Sequence, residues 1–203
     1  MTIELAIDFK ALGIWALIGY LIGSIPSGVI IARLMGLGNL REIGSGNIGA
    51  TNVLRTGSKK AAASTLLLDA GKGLAAVWLA LIFVEPDVAQ AAGFAAMLGH
   101  CFPIWLRFRG GKGVATFFGV IFALAWPVGL VAAITWLGVA AVFRISSLAA
   151  LSASVSAPIA AYLGGMPNIL FLMVCLWALI FLRHRANIQR LLDGAESKFG
   201  SKS

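Results

Sequence analysis

Five long apolar runs constrain the fold of this chain more than any other feature. They cover approximately residues 12–34, 61–84, 88–106, 114–143 and 148–182. A helix needs about 20 apolar residues to cross the hydrocarbon core of a bilayer, so each of the first three runs has the length of one span. The chain is 60% hydrophobic and 12% charged, whereas soluble domains are about 25% charged. The sequence therefore predicts an all-α, polytopic integral membrane protein that forms one domain over residues 1–203.

The last two runs are too long for single helices, and each contains a break signal. Trp126-Pro127 interrupts the fourth run, and the Gly-Gly-Met-Pro-Asn sequence at 164–168 is a turn signal in the fifth. Splitting the fourth run leaves two short halves, 114–125 and 128–143. The resulting prediction is about seven transmembrane helices.

The distribution of charge predicts the orientation of these helices. If the N-terminus is outside, Lys10 is the only basic residue of the external segments, while Glu4, Asp8, Glu85 and Asp87 all fall on the external side. Cytoplasmic segments of membrane proteins carry an excess of Lys and Arg, which predicts a cytoplasmic C-terminus that includes Lys202. Because the first apolar run follows acidic residues rather than a basic n-region, we expect it to be retained as a helix and not cleaved as a signal peptide.

A glycine-rich segment at 44–50, Gly-Ser-Gly-Asn-Ile-Gly-Ala, is predicted to bind an anion on the cytoplasmic side. Glycines allow successive backbone N–H groups to converge on a phosphate oxygen, and Arg55 supplies a bidentate cation. The string also matches the dinucleotide fingerprint, but no strand-helix-strand context surrounds it. The alternative is an ordinary loop that turns the chain between helices. The candidate binding residues are Ser45, Gly46, Asn47, Thr51, Asn52 and Arg55.

A second glycine-rich segment, Arg-Phe-Arg-Gly-Gly-Lys-Gly at 107–113, is a further candidate phosphate site. It is not a P-loop, because no Ser or Thr follows the lysine. Its alternative interpretation is a basic loop that only sets membrane topology. The candidate residues here are Gly110, Gly111, Lys112 and Gly113.

Three other polar positions invite functional hypotheses. Lys72 lies within an apolar run three residues after Asp69, so the two share a helix face and form either a functional site or a neutral pair that fixes packing. His184 and Asn187 share a face after the last run, either as part of a site or as an interfacial anchor. His100 is expected to be a hydrogen-bonded interior residue.

The sequence shows neither a Gly-x-Ser-x-Gly motif nor metal-ligand spacing, so no metal or cofactor is predicted, and Cys101 and Cys175 are expected to be packing residues.

Together, these strings resemble the bacterial acyl-phosphate:glycerol-3-phosphate acyltransferases of the PlsY family. The resemblance extends in order over essentially the whole chain. It rests on Gly-Ser-Ile-Pro-Ser-Gly at 23–28, Gly-Ser-Gly-Asn-Ile-Gly-Ala-Thr-Asn-Val-Leu-Arg at 44–55, Leu-Asp-Ala-Gly-Lys-Gly at 68–73, Gly-His-Cys-Phe-Pro at 99–103, Phe-Arg-Gly-Gly-Lys-Gly-Val-Ala-Thr at 108–116, Ser-Ser-Leu at 146–148 and Arg-His-Arg-Ala-Asn-Ile at 183–188.

The resemblance implies a multi-pass enzyme of the bacterial plasma membrane with its active site facing the cytoplasm. Its partners would be acyl phosphate, glycerol 3-phosphate and the lipid bilayer, with no nucleic acid, and its products lysophosphatidic acid and phosphate. The resemblance also implies roles for individual residues. The first glycine segment and Lys112 with its neighbouring glycines would bind phosphate, Lys72 would add charge to the same pocket, and Ser147, His184 and Asn187 would orient the acceptor. A transporter of phosphate-ester anions is the competing class, because basic loops and an intramembrane lysine would suit it equally.

Overall fold

The computed structural model describes residues 8–198, and within them the chain is helical with irregular connections. Glu4 and Lys202, which enter the charge argument, lie outside the described residues. The helices are α1 (Phe9–Gly23), α2 (Ser27–Leu34), α3 (Ala50–Leu54), α4 (Lys59–Phe83), α5 (Pro86–Cys101), α6 (Val114–Leu124), α7 (Trp126–Phe143), α8 (Ser146–Leu163), α9 (Pro167–Arg183) and α10 (Arg185–Leu192).

Within the described residues, four helical segments are long and apolar enough to cross a membrane: 9–34, 59–83, 126–143 and 146–163. A fifth candidate is the pair α9 and α10, which is bent by 64° at their junction. Helix α6 has 11 residues and α5 has 16, so both are shorter than an ordinary span.

Proline and glycine positions account for most helix boundaries. The fourth run divides where the sequence predicted, with α7 beginning at Trp126 and Pro127 in its first turn. The fifth divides at Gly164–Met166, after which Pro167 begins α9. The first run, predicted as one uninterrupted helix, is broken between α1 and α2, because Pro26 cannot continue the hydrogen-bonding pattern of α1. The third run ends its helix at Cys101, two residues before Pro103.

Small residues bring the helices into close contact. A side chain on Gly23 of α1 would overlap the carbonyl oxygen of Ala96 in α5, and one on Gly119 of α6 would overlap that of Ala70 in α4. Such contacts are typical of membrane helices, whose association depends on close packing. Inside the bundle, Met97, Phe117 and Met173 are completely buried.

Large apolar side chains on the outer surface complete the membrane pattern. They include Leu67, Ile82, Phe83, Leu137, Leu163 and Phe171, each at least 62% exposed. In water such a surface would be unfavourable, so this face is suited to contact with lipid tails. The polar residues of interest lie at one end of the bundle, where the two glycine-rich segments meet the α9–α10 corner.

Candidate active site

Arg41 joins the two glycine-rich segments. Its guanidinium donates one hydrogen bond to the Gly46 carbonyl at 3.1 Å and another to the Arg109 carbonyl. Arg41 lies within a short 3₁₀ turn at Leu40–Glu42, which Asn39 caps through its side chain. Segments about sixty residues apart in sequence therefore form one surface.

Asn52 organises the first segment from within. Its side-chain oxygen accepts hydrogen bonds from both the backbone N–H (3.0 Å) and the hydroxyl (3.2 Å) of Ser45. Its amide nitrogen donates to the carbonyls of Leu40 (3.0 Å) and Asn47 (2.7 Å). Asn52 is 2% exposed, and these four bonds use the usual capacity of an amide side chain. Asn52 therefore shapes the loop, whereas the exposed Ser45 and Thr51 lie at its surface.

Arg55 lies across the first segment and reaches the C-terminal tail. Gly44 has a φ of 52°, and a side chain there would collide with the Arg55 side chain. The Arg55 guanidinium donates a hydrogen bond of 2.6 Å to the Ser197 hydroxyl. The guanidinium is thus held beside the glycine segment on the exposed face of the site.

The second segment is fastened to the end of α5 by its own glycines. The backbone N–H groups of Gly110 and Gly111 donate to the carbonyls of Cys101 (3.1 Å) and His100 (3.0 Å). A side chain on Gly111 would overlap Nε2 of the His100 ring. The sequence prediction gave these glycines to phosphate, but the structure uses their N–H groups to hold the loop against α5.

The N–H groups best placed for an anion follow these glycines. Gly113 has a φ of 85° and caps α6, whose first-turn N–H groups have no carbonyl partner within the helix. Lys112 directly precedes this cap. The loop is also held from α9, because Arg183 donates to the carbonyls of Gly111 (3.1 Å) and Gly110 (3.2 Å).

A chain of hydrogen bonds connects Lys112 to α8 and to the tail. Lys112 Nζ donates to Asn187 Oδ1 at 2.6 Å, and Asn187 Nδ2 donates to Glu196 Oε1 at 2.6 Å. The same oxygen accepts from the Ser147 hydroxyl at 2.8 Å, and Arg190 Nε donates to Glu196 Oε2 at 2.7 Å. The structure thus brings the predicted Lys112, Asn187 and Ser147 together around a carboxylate that the sequence prediction did not include.

The charges of this cluster perturb one another. Burial lowers the pKa of Lys112 to about 8; nearby Glu196 opposes the shift, while Arg190, Arg55 and Arg183 add to it. Burial alone would raise the pKa of Glu196, but hydrogen bonds from its neighbours outweigh this effect and the pKa is lowered. The site therefore holds an excess of positive charge and is suited to a dianion such as phosphate.

His184 lies between α9 and α10 with a defined tautomer. Its Nδ1 is 2.8 Å from the carbonyl oxygen of Ile180; because a carbonyl can only accept, Nδ1 carries the hydrogen and Nε2 bears the lone pair. Burial, followed by the charge of Lys112, lowers the pKa of His184 to about 4. His184 is consequently a neutral base at physiological pH.

Lys72 lies apart from these residues. Its Nζ is 2.9 Å from Asp69 Oδ1 and donates to the Ile25 carbonyl at 2.9 Å, inside the helices. Among residues 8–198, no group of three or more His, Cys, Asp or Glu side chains could hold a metal ion. Cys101 is buried and Cys175 partly so, and neither forms a disulfide.

An apolar groove begins beside the polar cluster. It has a volume of about 530 Å³ and runs between α8, the end of α9 and α10. Leu148 and Ile188, which line it, directly follow Ser147 and Asn187. Its other lining residues include Leu151, Val155, Ile159, Phe181 and Leu191.

Comparison with known proteins shows the family. The family model described as glycerol-3-phosphate acyltransferase matches residues 13–194. The chain belongs to the glycerol-3-phosphate acyltransferase family. Relatives of that name include one from Dinoroseobacter shibae, 61% identical over 193 residues (94% of this chain and 95% of the relative), and one from Jannaschia sp., 59% identical over 192 residues (95% of each).

Solved structures of this acyltransferase family share the fold. A crystal structure of PlsY, an integral membrane glycerol 3-phosphate acyltransferase, in its glycerol 3-phosphate form aligns with a TM-score of 0.88 at 42% identity, covering 93% of this chain and 96% of that one. The lysophosphatidic acid form aligns with a TM-score of 0.85 at 39% identity, covering 93% and 95%. The resemblance stated from the sequence motifs is therefore confirmed.

Proposed function

We propose that this chain transfers an acyl group from acyl phosphate to the first hydroxyl of glycerol 3-phosphate, yielding lysophosphatidic acid and phosphate. The main observation behind the proposal is that a cluster with an excess of cationic side chains lies directly beside an apolar groove. Both substrates bear phosphate, and the donor also bears an acyl chain. The forms in which the related PlsY was crystallised, with glycerol 3-phosphate and with lysophosphatidic acid, agree with this acceptor and product.

Within the cluster, Lys112 and the first N–H groups of α6 stabilise the charge that develops on the departing phosphate. Preorganised donors of this kind account for much of the rate enhancement in acyl transfer. Ser45, Asn47, Thr51 and Arg55 bind phosphate or glycerol oxygens on the facing loop. Asn52, Gly46, Gly110, Gly111 and Gly113 act by shaping the two loops. Asn187 and Ser147 orient the acceptor around Lys112.

The acyl group passes directly from donor to acceptor, without an acyl-enzyme intermediate. The acceptor hydroxyl oxygen bonds to the acyl carbonyl carbon, the bond from that carbon to the phosphate oxygen breaks, and phosphate leaves with the bonding electrons. The hydroxyl proton passes to Nε2 of His184 or to a substrate phosphate. Because a mixed anhydride already has a good leaving group, positioning and charge stabilisation supply most of the catalysis.

The groove along α8 receives the acyl chain. Helix α8 rises about 1.5 Å per residue, so the lining from residue 148 to residue 159 extends about 17 Å into the apolar layer. A donor with its phosphate at Lys112 can therefore keep its acyl chain against protein and lipid. A transporter of water-soluble phosphate esters would not need such a groove.

The fold crosses the plasma membrane seven times in this proposal. The spans are α1 with α2, then α4, α5, α6, α7, α8 and α9, with the N-terminus outside and the site at the cytoplasmic face. The excess of Lys and Arg on the side of the glycine segments supports this orientation. It places the active site where glycerol 3-phosphate is available.

The test is acyl transfer by the purified protein in detergent. Palmitoyl phosphate is supplied with and without glycerol 3-phosphate, and phosphate and lysophosphatidic acid are both measured; palmitoyl-coenzyme A replaces the donor in a parallel series that is followed by thiol release. We expect phosphate release that depends on the acceptor, equimolar lysophosphatidic acid and no thiol. A folded protein that moves glycerol 3-phosphate into vesicles but forms no lysophosphatidic acid would instead be a transporter.

A further inference from the structure

A buried polar cluster lies inside the helices directly behind the second glycine segment. It consists of Asp69 and Lys72 on α4 and His100 on α5, which are 2%, 7% and 3% exposed. Lys72 pairs with Asp69 and donates to the Ile25 carbonyl at the break between α1 and α2. His100 Nδ1 lies 3.5 Å from the same Asp69 oxygen that faces Lys72. The cluster therefore joins three parts of the bundle.

The opposite side of the His100 ring contacts the loop that carries Lys112. Nε2 of His100 occupies the space that a side chain on Gly111 would need, and the His100 carbonyl accepts the Gly111 N–H at 3.0 Å. His100 thus contacts Gly111 through both its ring and its backbone. The next residue in the chain is Lys112, whose Nζ reaches Asn187.

The same helices are tied together around the start of α6. The hydroxyl of Thr116 donates to the backbone carbonyl of Asp69 at 2.9 Å, so α4 holds α6 within its first turn, whose N–H groups are proposed to face phosphate. Asp69 consequently lies between His100, which touches one end of the loop, and Thr116, which follows the other end.

Burying an ion pair of this kind gains little net stability over apolar side chains of similar volume. A bundle that required only packing would be served equally well by such residues. A buried charged pair with a neighbouring histidine can, by contrast, favour one arrangement of the helices that carry them.

We propose that Asp69, Lys72 and His100 are positioning residues for acyl transfer, which hold the Gly111–Lys112 peptide where Lys112 can act on the substrate phosphate. The inference rests on the proposed function. Lys72 fixes the Asp69 carboxylate, Asp69 orients the imidazole, and the imidazole sets the position of Gly111. Lys72 thereby acts through the loop and not by contact with substrate.

The first test replaces the ion pair by neutral groups in one protein, Asp69→Asn with Lys72→Met. This double variant leaves no unpaired buried charge, so its thermal unfolding temperature in detergent should stay close to that of the wild type. We expect kcat/KM for lysophosphatidic acid formation to fall at least tenfold. Ser154→Ala is the control, because it removes a buried hydroxyl that bonds to Leu151 within α8, and it should keep full activity.

The second test does not depend on that variant folding well. Gly111→Ala should lower kcat/KM at least 100-fold through overlap with the His100 ring, and adding His100→Ala should recover at least tenfold of this loss, because the ring is gone. Recovery of this kind would demonstrate coupling between the two positions. If instead the losses in kcat/KM caused by Gly111→Ala and His100→Ala simply multiplied in the double variant, the inference would be overturned. Full activity of the folded Asp69→Asn, Lys72→Met protein would also overturn it. Wild-type protein assayed in the same preparation distinguishes failure of the positioning role from failure of the proposed function. If the wild type forms no lysophosphatidic acid, the proposed function itself is wrong.

Discussion

Lys112 should set the alkaline limit of activity. Burial, together with the charges of three arginines, lowers the pKa of Lys112 to about 8. A lysine with this pKa is about 90% charged at pH 7 and about 10% charged at pH 9. If only the charged form stabilises phosphate, kcat/KM should fall by about tenfold between these two pH values, because kcat/KM follows ionisation in the free enzyme.

The assay measures initial rates of lysophosphatidic acid formation at subsaturating substrate from pH 6 to pH 10, with acceptor-free blanks that correct for hydrolysis of the acyl phosphate. Lys112→Arg is the matched variant, since a guanidinium stays charged throughout this range. Its plateau activity can be lower, but the alkaline decline should be absent.

A second comparison uses the wild type alone. Bound phosphate favours the charged lysine, so the decline in kcat, measured with saturating substrates, should lie at higher pH than the decline in kcat/KM. Wild-type activity that stays level to pH 10, or an identical decline in Lys112→Arg, would refute the assignment of the alkaline decline in activity to Lys112.

Three further predictions concern the base, the tail and the groove. His184→Ala should lower kcat by about 100-fold or more with little change in KM, as expected for loss of a general base; steady-state kinetics would show it, and near-full turnover would move proton acceptance to a substrate phosphate. Glu196→Gln should destabilise the protein by about 1–3 kcal/mol through its unmatched hydrogen bonds. Thermal unfolding would be measured against Asp193→Asn, because within residues 8–198 the Asp193 side chain accepts only from Gln189; equal unfolding temperatures would contradict this. Val155→Trp should fill part of the groove and lower kcat/KM for palmitoyl phosphate more than for a short-chain acyl phosphate. Val174→Trp, on the exposed face of α9, should leave kcat/KM unchanged for both donors. If Val155→Trp lowered kcat/KM equally for the two donors, the groove would not bind the acyl chain.

Much of the architecture was predictable from the sequence, because helix ends in a membrane depend on local signals. Trp126-Pro127 and the turn at Gly164–Met166 divide their apolar runs where expected. Pro26 was a signal of the same kind, but the hydropathy of the first run concealed the break between α1 and α2. The number of spans is harder to predict, because the 11 residues of α6 fall below the ordinary length for crossing a bilayer.

The residues that meet at the site were partly predictable, and their roles were less so. Glycine permits both phosphate binding and close backbone contact, and a sequence does not distinguish the two uses. Gly110 and Gly111 were assigned to phosphate, yet their N–H groups bond to α5. Asn52 likewise uses its amide to shape its own loop.

Three polar residues of the site were missed because their partners are distant in sequence. Glu196 bonds to Ser147, 49 positions away, and Arg183 bonds to the Gly111 carbonyl, 72 positions away. Arg41 joins the glycine segments across a similar separation. The position of Glu196 within a basic C-terminal segment was the one available signal for it, because positive neighbours favour an ionised carboxylate.

The most direct test of an active site built around Lys112 compares Lys112→Ala with Lys59→Ala. Both variants remove one positive charge, but Lys59 is exposed at the start of α4 and contributes nothing to the cluster. With palmitoyl phosphate and glycerol 3-phosphate as substrates, kcat/KM should fall by more than about 100-fold in folded Lys112→Ala protein, equivalent to about 3 kcal/mol of lost transition-state stabilisation. It should stay at the wild-type value in Lys59→Ala. Equal activity of the two variants would contradict an active site built around Lys112.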